Sequence, residues 1–134
     1  MESMRMLEKQ DENEEADEVT WQDQQRINTF SKLNTRMRDM NDKLKELKQE
    51  KEALDDLSTE LELADEDEPV LYKVGETFLH LPLTRAQKRL ERDQADVDKS
   101  LADVGSTVED CERQMKELKV VLYAKFGKAI NLDE

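Results

Sequence analysis

Residues able to perform chemistry are scarce in this chain. It holds one histidine, His80, and one cysteine, Cys111, among 134 residues. A zinc site of the usual kind draws on several Cys and His ligands, and these two are single and far apart in the sequence. General acid or base work needs a partner held in a cleft, so His80 reads as a strand residue facing a neighbouring subunit. A phosphate-binding loop needs Gly-x-x-x-x-Gly-Lys, which Gly75, Gly105 and Gly127 cannot supply. The expectation is no catalysis, no cofactor and no metal. What the residue types do offer is adhesion: Trp21, Ile27, Phe30, Val120, Val121, Leu122, Tyr123, Phe126, Ile130 and Leu132 gather toward the two ends of the chain.

The elements that must position these residues follow from composition. Charged residues make up 41% of the chain and apolar residues 36%, against roughly 25% and about 45–50% in ordinary soluble domains. Such a chain cannot fill a large core, and its profile fits a long helix or coiled coil, with disorder the competing class. The net charge of −13 repels phosphate backbones and anionic lipid, which argues against nucleic acid and membrane surfaces as partners. No apolar run is long enough to span a bilayer and the first residues are acidic where a signal peptide is basic, so an intracellular protein is expected.

Pro69, Gly75 and Pro82 interrupt the middle of the chain and leave two long segments free of proline. Residues 20–58 carry eight acids and eight bases, and residues 84–126 nine of each; the excess acid lies in residues 1–18 and 60–68. Residues 1–18 accordingly read as a disordered acidic tail, 20–62 as helix one, 70–81 as a connector, 84–126 as helix two and 127–134 as a C-terminal tail. Thr20 with Asp23, and Thr84 with Gln87, have the spacing of capping boxes, and Gly127 suits a helix C-terminus.

Alternating steps of three and four give a seam of Phe30, Leu33, Met37, Met40, Leu44, Leu47, Lys51, Leu54, Ser58 and Leu61, apolar at eight of ten positions. In helix two the steps give Leu90, Gln94, Val97, Leu101, Val104, Val108, Cys111, Met115, Leu118 and Leu122, apolar at nine of ten. A 3.5-residue period sustained this long specifies a coiled coil. Two helices of about 43 residues are each roughly 64 Å long and suit an antiparallel pair. The fold class expected is therefore all-α dominated: an antiparallel two-helix coiled coil with one β-hairpin at the connection. The acidic run Asp65–Glu68 resists this account, because a helix C-terminus favours bases.

In the connector, Val70–Val74 and Thr77–Leu81 are β-rich and Gly75-Glu76 suits a two-residue turn with glycine first. Pairing about that turn sets Val70, Tyr72 and Val74 beside Leu81, Leu79 and Thr77 on one face, and Leu71, Lys73, Phe78 and His80 on the other. An isolated hairpin is marginal and has unpaired edges. With the helices pointing away, Val70, Leu71, Tyr72, Val74, Gly75, Thr77, Phe78, Leu79 and Leu81 are expected to join strands of other chains in an intersubunit sheet or barrel.

Most of the apolar residues at the chain ends lie off the seams. With Leu122 at an a position, Val120 falls at f and Tyr123 at b, where a coiled coil ordinarily places charge. Two readings are open: a surface that grips other proteins, extended by Ile130 and Leu132, or a frayed end that wraps on itself. Met4 and Met6 sit in the tail, where simple disorder competes with flexible contacts of the same kind. Cys111 falls at a d position and reads as a small core hydrophobe.

A resemblance joins these features. Val19 and Thr20 followed by Asp23, Gln24, Gln25, Arg26, Ile27, Asn28 and Phe30 resemble the opening of β-class prefoldin subunits. Ala64 and Asp65, then Val74, Gly75 and Phe78, and the closing run Leu122, Tyr123, Ala124, Lys125, Phe126, Gly127, Ile130, Asn131 and Leu132 are similar as well. The likeness covers roughly residues 19–132; the acidic tail lies outside it, and Trp21 stands where Phe is more usual. It implies a heterohexamer of two α-class and four β-class subunits, hence three further β-class neighbours, joined through their hairpins in β-barrels. It further implies a cytoplasmic, ATP-independent holdase that captures unfolded clients such as actin and tubulin at its coiled-coil tips. Those clients would pass to the cytosolic group II chaperonin. The competing function is a structural tether whose tips bind one folded partner.

Overall fold

The computed structural model describes residues 4–6 and 18–132. The elements in chain order are strand β1 (Met4–Met6), helix α1 (Trp21–Glu62), strands β2 (Val70–Val74) and β3 (Thr77–Leu81), helix α2 (Leu83–Phe126), a 3-10 turn (Gly127–Ala129) and strand β4 (Ile130–Leu132). β2 and β3 form one two-stranded antiparallel sheet, and β1 and β4 a second. The chain divides into two compact units, Met1–Asp42 with Ser106–Glu134, and Lys43–Gly105.

In the first unit, helix α1 begins at a capping box. The Thr20 hydroxyl accepts the Asp23 backbone N–H at 3.1 Å, and the Asp23 carboxylate accepts the Thr20 N–H at 3.1 Å, so two amides left free by the helix start are satisfied reciprocally. Phe30 and Met37 of α1 bury against Val108, Cys111, Met115, Leu122 and Phe126 of α2. These α2 positions recur at steps of three, four and seven, with half-buried Leu118 inside the longest step, the period that keeps one face turned to the partner helix. The helices are antiparallel here: Lys125 near the end of α2 pairs with Asp23, and Lys119, six residues earlier, lies over the Phe30 ring at 5.8 Å.

Helix α2 stops at Phe126 because Gly127 adopts φ of 55°, a left-handed conformation that glycine reaches without a Cβ penalty. The chain then turns so that Ala129, Ile130 and Leu132 join the same apolar cluster. Residues 127–132 are thus an ordered 3-10 turn and strand where the sequence suggests a tail. β4 pairs antiparallel with β1, Met4 opposite Leu132 and Met6 opposite Ile130. Three residues of the acidic segment expected to be disordered are therefore a strand: Met4-Arg5-Met6 is the short uncharged-flanked alternation within that segment able to pair as β structure. The remainder of that expectation, residues 1–3 and 7–17, lies outside the described residues.

In the second unit the antiparallel register is marked by two polar pairs, Lys51 with Asp98 at 2.6 Å and Gln94 with Asp55 at 3.3 Å. A step of four residues up α1 is matched by a step of four down α2. Lys51 occupies a seam position that the repeat would give to an apolar residue; its stem is half-buried and its ammonium reaches out to Asp98.

The connector departs from the sequence reading in two ways. First, α2 begins at Leu83, with the Pro82 carbonyl accepting the N–H of Ala86 at 3.0 Å, so Pro82 holds the N-cap position. The Thr84–Gln87 capping box is not formed, because the helix has already started before Thr84. Second, the Asp65 carboxylate accepts the N–H of Asp67 at 3.1 Å and the Asp65 carbonyl that of Glu68 at 3.2 Å. This side-chain-closed turn carries the chain out of α1 toward β2, and it is one local reason for an Asp at the head of the acidic run.

Candidate interaction surfaces

The apolar residues expected at the chain ends separate into two groups. Phe30, Leu122, Phe126, Ile130 and Leu132 are buried, Phe30 and Leu122 completely, and Ile27 is partly buried against them. These six do not present an open surface. The reason is the strand β4, which places Ile130 and Leu132 over the ends of both helices; the wrapping of the end on itself, one of the two readings open in the sequence, describes them. Trp21 and Val120 are the opposite case, 76% and 64% exposed, and Val121 and Tyr123 are exposed as well. The heptad positions f and b assigned to Val120 and Tyr123 therefore do face solvent.

The exposed four are held at one end of this unit by a polar clasp. The Asp23 side chain, 1% exposed, meets Lys125 and also Arg26 at 3.0 Å. Its carboxyl is held down at about 2 from an ordinary 3.8, chiefly by the Lys125 hydrogen bond and with help from the Thr20 amide and hydroxyl, against a burial penalty acting the other way. The clasp sets the first turn of α1, with Trp21, beside the last turns of α2, with Val120 and Tyr123. Tyr123 is pinned in addition: its hydroxyl accepts the Leu132 N–H at 3.2 Å, leaving its ring at the surface beside β4. Val19, also exposed, belongs with this group and was not singled out by the repeat because it precedes the helix.

The hairpin of the second unit has the register read from the sequence, Val70 opposite Leu81, Tyr72 opposite Leu79 and Val74 opposite Thr77, with Gly75 at φ of 63° in the turn. The faces, however, are not both free. Tyr72 is buried with Leu61 of α1 and Leu83, Ala86 and Leu90 of α2, and Val70, Val74 and Leu81 lie partly buried against the same cluster. The helices thus do not simply point away from the sheet; their ends close over one face. The Tyr72 hydroxyl donates to Asp93 at 2.8 Å, and Arg89 holds that carboxylate at 3.1 Å. Burial first, and then the bond to Asp93, raises the Tyr72 phenol above its usual range.

Of the residues expected in assembly, Leu71, Phe78 and Leu79 are the large apolar side chains left exposed. Leu71 and Phe78 share the face turned from the helices, together with exposed Lys73 and His80, while Thr77 and Gly75 are exposed near the turn. Leu63, 84% exposed beside the start of β2, joins them. Its signal was present in the sequence, since Leu61 takes the seam and a residue two positions on must face away from it.

Cys111 is buried in the helix seam. Among the described residues no group of three or more His, Cys, Asp or Glu is placed to hold a metal ion, and no helix is long and apolar enough to cross a membrane. The polar groups that converge, Asp23 with Lys125 and Tyr72 with Asp93, tie elements of the fold together.

Comparison with known proteins places these surfaces in context. The sequence model of the family described as prefoldin subunit matches residues 24–129. Prefoldin subunit 4 of Saccharomyces cerevisiae is 43% identical over 116 residues, covering 87% of this chain and 90% of that protein. The probable prefoldin subunit 4 of Drosophila melanogaster is 37% identical over 122 residues, covering 91% and 88%. Prefoldin subunit 4 of Homo sapiens is 33% identical over 116 residues, covering 86% and 87%.

Proposed function

The chain belongs to the prefoldin subunit family, a non-enzymatic co-chaperone family whose subunits have other prefoldin subunits as partners; on that premise we propose that it is a β-class subunit of a cytoplasmic heterohexamer and a holdase for unfolded chains. The other members are two α-class and three further β-class subunits. Assembly runs through the hairpin, whose exposed Leu71, Phe78 and Leu79 and unpaired strand edges are completed by strands of neighbours in a barrel.

The observation that carries the holdase reading is the group Trp21, Val120, Val121 and Tyr123, apolar side chains exposed at the end of a unit that otherwise closes its own core. Full burial of one such side chain stabilises by about 1.5–3 kcal/mol, and partial contact with a mobile chain by less. One end binds weakly; six acting together gain avidity through effective concentration while each contact remains quick to release. Unfolded actin and tubulin are held in this way and passed to the cytosolic group II chaperonin without nucleotide hydrolysis.

The test is to assemble the complex with Trp21→Ser, Val120→Ser and Tyr123→Ser in this subunit and follow aggregation of a denatured client without nucleotide. Reduced protection by an intact complex supports the reading. Undiminished protection by the same complex refutes it. Buried Phe126 and Ile130 are unsuitable for the purpose, because their replacement damages the fold.

A further inference from the structure

Within the hairpin unit the two flanks of the sheet carry opposite charge. Between the sheet and α2, mainly along β3, lies a groove of about 370 Å³ lined by Leu79 and Leu81 of that strand, Val74 at the end of β2, and Arg85, Lys88, Arg89 and Arg92 of α2. These bases recur at intervals of three and four residues and so form one stripe along the helix. Arg89 is engaged with Asp93, whereas Arg85, Lys88 and Arg92 are exposed and have no ion-pair partner among the described residues. Beside β2 lies a second groove, about 500 Å³, bordered by Glu60, Asp65 and Glu68 and by exposed Leu63 and Leu71.

Both placements oppose the helix dipoles. The last turn of α1 has no base and is followed by four acids, while the first turn of α2 has no acid and is followed by the basic stripe. A local preference violated twice, at the two ends of the same connector, is the mark of a surface shaped for something outside the chain. The sheet between them has two strands, so β2 and β3 each leave one edge unpaired among the described residues. An acidic flank on one edge and a basic flank on the other is the pattern of a head-to-tail contact, in which unlike surfaces meet.

We propose that the β3 flank docks the acid-flanked strand edge of a neighbouring, different prefoldin subunit, whose strand adds to β3 while its carboxylates meet Arg85, Lys88 and Arg92. This deepens the assembly reading above and rests on it. Backbone pairing is indifferent to sequence, so any exposed edge competes for any other; complementary charge on the flanks rejects the wrong edge and fixes which subunit sits on which side. The acidic run Asp65–Glu68 is then the corresponding signal on the opposite side of this hairpin.

The test is co-expression of this chain with the other prefoldin subunits and measurement of its incorporation by native mass. Arg85→Glu, Lys88→Glu and Arg92→Glu together are compared with Lys43→Glu, Lys45→Glu and Lys48→Glu, exposed bases of the same unit that lie off the flank, so both variants change net charge equally. The expected result is a tenfold or greater fall in incorporation for the first variant, little change for the second, and a wild-type complex whose assembly weakens as salt rises. If the glutamate variant loses helicity by circular dichroism, the Gln triple at the same positions takes its place. Equal incorporation of both variants overturns the proposal while leaving assembly through the hairpin standing. Salt-sensitive homo-oligomers of the isolated chain that depend on the same three bases also overturn it, since the occupant is then a second copy. A wild-type chain that joins no complex defeats the assembly reading itself and the proposal with it.

Discussion

Asp23 and Lys125, separated by 102 residues in sequence, form the ion pair that fastens the first turn of α1 to the last turn of α2. Asp23 serves as capping residue and ion-pair partner at once, and that double use makes it sensitive to acid. Its carboxyl titrates at about 2 in the folded chain against 3.8 unfolded, so the stabilisation it provides is complete above 3.8 and is lost as pH falls toward 2. Replacing Lys125 with Met should raise the Asp23 titration midpoint toward 3.8, measured by carboxyl NMR, and remove that part of the acid dependence of unfolding.

Tyr72→Phe isolates the polar tie beneath the hairpin. The hydroxyl bonded to Asp93 is lost while the ring stays in the Leu61–Leu90 cluster. A hydrogen bond to a charged group is worth about 1.5–3 kcal/mol, and Asp93 keeps Arg89. The variant should therefore unfold at lower denaturant with an unchanged slope, and Tyr72→Ala should cost more, about 3–5 kcal/mol as for other large aromatic truncations.

Leu122 and Val120 lie two positions apart on α2 and separate stability from binding. Leu122 is fully buried, so Leu122→Ala should destabilise by about 2–5 kcal/mol. Val120→Ser, at an exposed position, should stay within about 0.5 kcal/mol of the parent in denaturant unfolding yet reduce client protection by the assembled complex. Equal losses of stability in the two variants would contradict this division of labour.

Gly75→Ala probes the turn. Apart from Gly75 and its two chain neighbours, no atom lies within 4 Å of the position an added Cβ would take, so the penalty is conformational and not a clash with packed side chains. A left-handed φ of 63° costs an ordinary L-residue about 1–2 kcal/mol. The hairpin should lose order by that amount, seen as faster amide exchange of Val74 and Thr77, with the helix content of the circular dichroism spectrum preserved.

Much of this molecule is legible in the order of its residues. Both seams, from Phe30 to Leu61 and from Leu90 to Leu122, appear as periodicities because a helix returns each third or fourth residue to the same face. The hairpin register follows from alternation about Gly75, because a one-residue slip would turn every side chain to the wrong face. These are local rules, and local rules can be read without a partner in view. Burial at the chain ends is of another kind. Ile130 and Leu132 are as apolar as Val120, and nothing in their spacing tells that β4 closes over Phe30 and Leu122 while Val120 stays in solvent. Nor does any pattern link Asp23 to Lys125, or reveal that α2 starts at Leu83 and covers Tyr72. Which apolar groups are spent on the core and which remain free depends on contacts between residues distant in the chain, and only the tertiary structure decides those.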